Sequence, residues 1–227
     1  MVKKTMVVFG ASGGIGSCVV SDFQEYNKSL ASRSLSFYSD ETSLSDSVDV
    51  RNAGQVKSFV ERTHEKFGSI DVVVNCVGVI NVKSIQDIDL YEFMSVFDTN
   101  VFGLLNILKE TSRYLENGFF INIGSLRDAI PCRNRAAYCS SKAAMCMLIK
   151  VFRLEHPSIK VCNINPGYVD TDLHPDRKYP YDKKTMERKE VLSARDVVDK
   201  IKSLLRNPVD EVEIGEVFGG RDDICLM

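Results

Sequence analysis

The sequence predicts an α/β fold, a doubly wound sheet of about seven parallel strands with helices on both faces, as a single domain over residues 1–227. Short β-branched runs alternate with longer amphipathic segments, which is the pattern of strand, crossover helix and parallel strand. With 227 residues, 44% of them apolar, the chain can bury a full core as one unit. In such a sheet the carboxyl ends of the strands form the ligand-binding edge.

The elements follow in chain order. Strands are predicted near residues 5–9, 30–32, 47–50, 71–75, 118–124, 160–165 and 213–218, and helices near 14–26, 53–67, 90–115, 135–155 and 194–206. Two segments break the alternation. Residues 34–47 are rich in serine and acid, so we expect a loop or very short turn where a crossover helix is usual. Residues 173–190 are charged and contain two prolines, which is typical of a substrate lid or a solvent-exposed segment.

Composition excludes several classes of partner. The net charge of -2, from 29 basic and 31 acidic residues, gives no electrostatic reason to expect nucleic acid or a membrane surface. The seven cysteines are scattered and contain no Cys-x-x-Cys pair, so neither a disulfide framework nor a metal site is predicted. A reducing compartment fits best. With no signal peptide or membrane span in the sequence, we expect a cytoplasmic protein.

A glycine-rich turn lies between the first strand and the first helix. Its glycines leave the helix amides open to a dinucleotide pyrophosphate. The predicted contacts are Gly10, Ser12, Gly13, Gly14, Ile15 and Gly16. Two alternatives are a turn that serves only helix packing and a hydrolase nucleophile elbow, Gly10-x-Ser12-x-Gly14. The elbow normally follows several strands and needs a downstream histidine, whereas His156 and His174 lie in no recognisable catalytic context.

The end of the second strand indicates which dinucleotide binds. A carboxylate there would bind a ribose diol and repel a 2′-phosphate, but the strand ends in Ser32 and Arg33. We therefore predict NADP(H) as the preferred cofactor, with NAD(H) possible. Asp49 is placed to accept from the adenine amine. In the alternative interpretation Arg33 is an ordinary surface residue and Asp49 forms a turn.

Ser125, Tyr138 and Lys142 form a candidate catalytic group. When a hydride reaches a carbonyl carbon, the oxygen needs a hydrogen-bond donor and then a proton. Ser125 would supply the first and Tyr138 the second. Lys142 lies one helical turn after Tyr138, where its ammonium is expected to lower the pKa of the phenol. Without Ser125, the alternative interpretation would be that Tyr138 is an aromatic core residue and Lys142 a solvated lysine.

These residues, in this order, resemble the short-chain dehydrogenase/reductase superfamily, whose fold is of the Rossmann type. The resemblance covers nearly the whole chain, including the thirteen-residue step from Ser125 to Tyr138. It implies that Lys142 also binds the nicotinamide ribose, that Asn100 opens a helix and holds a water, and that Thr171 contacts the carboxamide. The remaining cofactor positions that it implies are Val50, Asn75, Gly78, Pro166, Gly167 and Val169.

The resemblance implies an NADPH-dependent oxidoreductase that interconverts a small carbonyl compound and an alcohol. The alternative is a catalytically silent NADP-binding sensor. The run from Pro166 to Thr171 is similar to that of 3-oxoacyl carrier-protein reductases, and Arg133 and Arg135 could meet an acidic carrier or simply be solvated. The family commonly pairs through two long helices, here 90–115 and 135–155, which suggests a homodimer or homotetramer. The chain departs from the family at Phe9, at Cys76 and Val77, and in the short connection after Arg33.

Overall fold

The computed structural model describes residues 3–173, 191–207 and 213–214. The strands in these residues are β1 Thr5–Phe9, β2 Asn27–Ser32, β3 Tyr38–Ser39, β4 Ser43–Ser47, β5 Val72–Asn75, β6 Phe119–Ile123, β7 Lys160–Ile164, β8 Tyr168–Val169, β9 Val191–Leu192 and β10 Glu213–Ile214. The α-helices are α1 Gly14–Asp22, α2 Ala53–Phe67, α3 Leu90–Phe97, α4 Gly103–Thr111, α5 Ala136–Glu155 and α6 Ala194–Arg206.

The main sheet has the order β3-β4-β2-β1-β5-β6-β7-β10. Neighbouring strands pair in parallel throughout, except for β3, which runs antiparallel to β4 at one edge. The predicted doubly wound fold is therefore confirmed, with one short strand added. The strand order reverses direction between β1 and β5, and ligands bind at such a switch point in open α/β sheets.

Helices cover both faces of the sheet. One face carries α2, α4 and α5, whose buried side chains include Phe59, Ile107 and Ile149. The other face carries α1 and α6, which contribute Val19 and Ile201. Because both faces are covered, all five residues of β1 are buried, as are all four of β5. This accounts for strands that read as continuous apolar runs.

The segment between β2 and α2 differs from the prediction. The third parallel strand lies at Ser43–Ser47 and not at 47–50, and the expected loop over 34–47 contains the β3–β4 hairpin. Asp40 stabilises the hairpin turn, since its Oδ1 accepts hydrogen bonds from the backbone amides of Thr42 and Ser43 at 2.8 and 2.7 Å. Such an Asp-nucleated turn allows strands to form in a sequence of low apolar content.

The predicted helix 90–115 is divided into three parts. A capping box of Asp89 and Glu92 starts α3. A π-helical segment, Asp98–Phe102, separates α3 from α4, which ends at Thr111. Single π turns inside α-helices are frequent at functional sites, because they redirect side chains. Residues 174–190 of the predicted lid lie outside the described residues. Over the part of the chain described here, no helix is both long and apolar enough to cross a bilayer.

Candidate active site

The glycine turn begins where β1 ends. The amides of Gly10 and Ala11 both donate to the carbonyl oxygen of Ala31, at 2.8 and 3.1 Å, which joins the turn to β2. Gly10 has a φ of 78°, and a Cβ there would lie 2.9 Å from the carbonyl carbon of Cys76. A side chain at Gly10 is therefore excluded both by conformation and by space.

The turn presents an open helix end to the cleft. Gly13 is the N-cap of α1 and makes no side-chain capping bond, and Gly13 and Gly14 are exposed, whereas Ile15 packs against the core. The first amides of a helix lack partners within the helix and bind anions well when no side chain caps them. The turn therefore fits a pyrophosphate group.

Serine hydroxyls gather where β2 ends. Ser34 Oγ donates to Ser12 Oγ at 2.8 Å and lies 3.3 Å from Ser32 Oγ. The sequence predicts Ser12 and Ser32 as contacts but not Ser34, whose only signal is its position two residues after the strand. Arg33 between them is exposed. The cluster offers hydroxyl donors and one cation, and no carboxylate of its own.

Asp49 follows this cluster and is paired with Arg51. Its carboxylate accepts from Arg51 Nε at 3.0 Å and from Nη2 at 2.6 Å. These bonds, together with the charge of Arg33, hold the pKa of the Asp49 carboxyl below its usual value. The side chain that was predicted to meet the adenine amine is thus already engaged. Val50 is buried, and Gly103 packs against it.

Asn100 lies in the π-helical segment and is buried. Its Oδ1 accepts from the amide of Val79 at 2.8 Å, and its Nδ2 donates to the Val79 carbonyl and to Ser141 Oγ, each at 3.0 Å. Asn100 therefore connects the loop after β5 to helix α5. Gly78 lies at this junction, since a Cβ on it would be 3.6 Å from Lys142 Nζ and 3.9 Å from Asn100 Oδ1.

Ser125 and Tyr138 meet at the end of β6. Ser125 caps a short 3₁₀ turn, Leu126–Asp128, and its Oγ accepts from the amide of Arg127 at 3.2 Å. That bond leaves the serine proton available to a second partner. The Ser125 side chain lies near enough to the Tyr138 phenol to influence its pKa, and each residue is only 7% exposed. Two hydroxyl groups therefore converge in a largely dry part of the cleft.

Burial raises the pKa of the Tyr138 phenol above its usual value, while the bond with Ser125 and the charges of Arg135 and Arg127 oppose that rise. The net lowering of this pKa that was expected beside Lys142 is not found, because burial has the largest effect. Lys142 Nζ lies 5.7 Å from the centre of the Tyr138 ring and donates to the carbonyl oxygen of Ile123 at 3.1 Å. The ammonium is therefore held over the ring by the end of β6.

Lys142 itself is a buried cation, with 5% of its surface exposed. Burial lowers the pKa of its ammonium to about 8, and the charge of Asp128 opposes that change. At neutral pH most molecules retain the positive charge. Lys142 can therefore supply both a positive charge and hydrogen-bond donors to a ligand between Gly78 and Tyr138.

The segment after β7 closes the other side of the cleft. Pro166 accepts from the Leu126 amide at 3.1 Å, and Gly167 leads into the short pairing of β8 with β9. Thr171 approaches the glycine turn, since a Cβ on Gly14 would lie 2.5 Å from Thr171 Cγ2. Val169, in β8, packs against the core on the α1 side. The predicted residues Pro166, Gly167, Val169 and Thr171 thus border the cleft.

A row of buried asparagines, not predicted as a unit, crosses the sheet below these groups. Asn75 Nδ2 donates to Asn122 Oδ1 at 2.8 Å, and Asn122 Nδ2 donates to Asn163 Oδ1 at 2.7 Å. The sequence signal was available, because each residue ends or nearly ends a predicted strand. Only the strand register, which pairs Asn75 with Asn122 and Asn122 with Asn163, shows that they touch.

The residues present fit a nicotinamide dinucleotide along this edge. The glycine turn suits the pyrophosphate, the serine cluster and Arg33 suit the adenosine end, and Lys142 suits the ribose on the nicotinamide side. The hydroxyl groups of Ser125 and Tyr138 lie on the same side of the site as Lys142.

Comparison with known proteins supports this interpretation. The family model for short chain dehydrogenases matches residues 4–181. An uncharacterized oxidoreductase of Staphylococcus epidermidis is 27% identical over 228 residues, covering 95% of this chain and 96% of the relative. The 2,3-dihydro-2,3-dihydroxybenzoate dehydrogenase of Bacillus subtilis is 28% identical over 186 residues, covering 75% and 71%. The alcohol dehydrogenase from Thermococcus sibiricus, complexed with 5-hydroxy-NADP, is 25% identical with a TM-score of 0.77, covering 92% of each chain.

Proposed function

Since the chain belongs to the short-chain dehydrogenase/reductase family of NAD(P)-dependent oxidoreductases, we propose that it is an NADPH-dependent reductase of a small ketone or aldehyde. The reverse reaction is the oxidation of the corresponding alcohol. The observation that carries the proposal is the burial of Ser125, Tyr138 and Lys142 together, with the Ser125 side chain near the Tyr138 phenol and the Lys142 ammonium 5.7 Å from the centre of the Tyr138 ring.

The pair can serve a carbonyl oxygen in two ways. The carbonyl carbon would receive a hydride, which NADPH would supply when bound. Ser125 donates a hydrogen bond to the carbonyl oxygen, since the bond that it accepts from the Arg127 amide leaves its hydroxyl proton available. Tyr138 donates the proton as negative charge develops on that oxygen. Because the phenol pKa is raised, Tyr138 holds its proton at neutral pH, as a general acid must.

Lys142 and Asn100 support this transfer. The Lys142 ammonium, over the Tyr138 ring, stabilises negative charge left on the phenol after the proton has moved. Asn100 holds the Val79 backbone and Ser141, which fixes the loop of Gly78 against helix α5. These groups surround and position a proton donor, which a pure cofactor sensor would not require.

We propose that the protein prefers NADPH to NADH because of the residues at the expected binding site for the adenosine end of the cofactor. Ser12, Ser32 and Ser34 bring three hydroxyl groups together, and Arg33 adds a positive charge beside them. A 2′-phosphate would gain hydrogen bonds from both. The nearby carboxylate, Asp49, is neutralised by Arg51 and would repel the phosphate less than a free carboxylate.

A homodimer is the assembly that we propose. Helices α3, α4 and α5 carry large apolar side chains that are at least 40% exposed, including Tyr91, Leu105, Met147 and Leu154. On α5, Met147, Val151 and Leu154 recur at helical spacing and form one stripe. An apolar surface of this kind suits a second copy of the chain. A cytoplasmic location is proposed with it, since Cys18, Cys76, Cys139 and Cys162 are free thiols.

The test is turnover by the purified protein. NADPH is mixed with a panel of ketones and aldehydes, and loss of the reduced-nicotinamide absorbance is followed, with NADH in parallel. Consumption of NADPH that depends on the carbonyl compound supports the proposal. Binding of NADPH with no consumption on any compound in the panel would favour the sensor, and absence of binding would contradict both.

A further inference from the structure

The asparagine row continues past the sheet to a carboxylate. Asn163 Nδ2 donates to Asn165 Oδ1 at 2.8 Å, and Asn165 Nδ2 donates to Asp128 Oδ2 at 2.7 Å. Four amides therefore lead in one direction from Asn75 to Asp128. At the far end, Asn75 Oδ1 accepts from the amide of Val77 at 3.2 Å.

Every amide in the row has its orientation fixed by its neighbours. Each Nδ2 donates toward Asp128 and each Oδ1 accepts from the opposite side, so reversing one amide would place two donors or two acceptors together. Asn75, Asn122 and Asn163 are at most 2% exposed, where such a mismatch is costly. The row therefore presents Asn165 to the site in one orientation.

Asn165 holds both ends of the turn that carries Ser125. Its Oδ1 accepts from the backbone amide of Ser125 at 3.1 Å, and its Nδ2 binds the carboxylate of Asp128, three residues later. Within the turn, the Asp128 amide donates to the Ser125 carbonyl at 3.1 Å. The Asn165 side chain thus closes a ring around the Ser125–Asp128 backbone.

The neighbouring sequence leaves room for this contact. A Cβ on Gly124 would lie 2.0 Å from Asn165 Oδ1 and 2.9 Å from Asn163 Nδ2, so any larger residue there would displace the amides. Asp128 also acts on Lys142, because its charge favours the ammonium form. The end of the row is therefore connected to two of the three groups of the proposed catalytic site.

We propose that Asn165, oriented by the asparagine row and held by Asp128, is a positioning residue that fixes the Ser125 hydroxyl for carbonyl reduction. This proposal rests on the proposed reductase function. Asn165 touches no reacting atom. It acts by holding the turn from which Ser125 reaches Tyr138, and precise placement of a donor is worth large factors in rate.

The test exchanges the amide of Asn165 and the carboxylate of Asp128. Asn165→Asp keeps the acceptor for the Ser125 amide but sets a carboxylate against Asp128. Asp128→Asn keeps an acceptor for the Asn165 amide and serves as the matched control. The double variant Asn165→Asp/Asp128→Asn restores one amide and one carboxylate in reversed order, with the original net charge.

We expect kcat to fall by about tenfold or more in Asn165→Asp, by less than about threefold in Asp128→Asn, and to recover most of the loss in the double variant. KM for the carbonyl compound should change less than kcat, and the NADPH dissociation constant should stay within about twofold in all three. A double variant no better than Asn165→Asp, or an Asn165→Asp enzyme with unchanged kcat, would overturn the proposal.

Hydrogen exchange separates this inference from the function on which it rests. Backbone amides of residues 125–128 should exchange faster in Asn165→Asp and regain protection in the double variant, whether or not the protein turns over any substrate. Unchanged exchange would overturn the positioning role, whereas inactive wild-type protein would contradict only the reductase. If Asn165→Asp does not fold, the comparison of Asp128→Ala with Asp128→Asn tests the same contact. Asp128 is half-buried, and only Asp128→Asn keeps an acceptor for the Asn165 amide.

Discussion

The Lys142 ammonium lies 5.7 Å from the centre of the Tyr138 ring and is bonded to the carbonyl oxygen of Ile123. The Lys142 ammonium thus interacts with the face of the Tyr138 ring and is hydrogen-bonded to the backbone rather than to the Tyr138 hydroxyl. Burial has the largest effect on the phenol pKa and raises it, so Tyr138 is protonated at neutral pH. This is the form that the proposed role of Tyr138 as a proton donor requires.

Replacing Tyr138 with Phe should remove the proton and preserve the ring. We expect kcat to fall by roughly a hundredfold or more, because general acid catalysis contributes factors of that size, with NADPH affinity nearly unchanged. Turnover and NADPH titration measure the two effects. Tyr114→Phe is the matched control, since the Tyr114 ring packs against His64 and not against Ser125 or Lys142. Activity in Tyr138→Phe equal to that of the control would remove Tyr138 from the proposed mechanism.

The buried lysine should impose a pH dependence on stability. The pKa of Lys142 is about 8 in the folded protein and 10.5 ordinarily. Between these values the unfolded chain binds more protons than the folded one, so the free energy of unfolding should rise with pH, by on the order of 3 kcal/mol. Below about pH 8 the full penalty of the buried ammonium is present.

Lys142→Met removes this titration while keeping a long side chain. Urea unfolding of both proteins, from below pH 8 to above pH 10.5, should show the wild type gaining stability relative to Lys142→Met. Contributions of groups that do not interact with Lys142 cancel in the difference. If the free energies of unfolding of the two proteins change with pH in parallel over the whole range, the pKa of Lys142 is not lowered by burial.

Arg33 and Ser34 should discriminate between the cofactors. Arg33→Ala should raise KM for NADPH by roughly tenfold, because a charge-assisted contact with the 2′-phosphate is lost, and leave KM for NADH within about twofold. Ser34→Asp should shift preference further toward NADH, with Ser36→Asp in the same exposed segment as the control. Equal changes for both cofactors would exclude these residues from phosphate recognition.

Two glycines of similar φ allow the glycine turn to be tested. Gly10→Ala should destabilise the protein and abolish NADPH binding, since the new Cβ would press on the backbone of Cys76. Gly68→Ala has the same left-handed backbone with nothing within 4 Å, so it should cost only about 1–2 kcal/mol and leave binding intact. Similar losses in both variants would show that conformation alone, and not the close approach, requires Gly10.

The proposed dimer should depend on the apolar stripe of α5. Leu154→Glu, at a position 80% exposed, should convert a dimer into a monomer in light-scattering measurements. Phe37→Glu, 64% exposed near the β3 edge of the sheet, is the control and should leave the mass unchanged. A wild-type protein that is already monomeric at micromolar concentration would contradict the proposed assembly.

Sequence reasoning reached the fold and the site groups because both depend on short-range patterns. The glycine turn and the Tyr138–Lys142 spacing are local, and the alternation of strands and helices fixes which loops share an edge. The structure brings Ser125, Tyr138, Lys142 and Asn100 into one region, while their catalytic roles remain predictions. The hairpin after β2 was missed, because its strands are built on serine and one Asp40 turn rather than on apolar residues.

Two further features needed three-dimensional information. The direction of the Tyr138 pKa depends on burial and on where Lys142 Nζ points, neither of which helical spacing determines. The contacts of Asn165 depend on the alignment of β6 with β7 and on the path of the chain after β7. The residue types were visible in the sequence, but their adjacency was not.

The asparagine row also bears on how the strands find their alignment during folding. Parallel strands made of valine, isoleucine and phenylalanine could slide past one another and still bury similar side chains. Only the native alignment of β5, β6 and β7 gives Asn75, Asn122 and Asn163 their amide partners. Any shifted alignment would leave these amide groups without hydrogen-bond partners in the apolar core. Each such group would cost about 1–3 kcal/mol of stability. The three side-chain amides therefore favour the native register of the central strands over any shifted one.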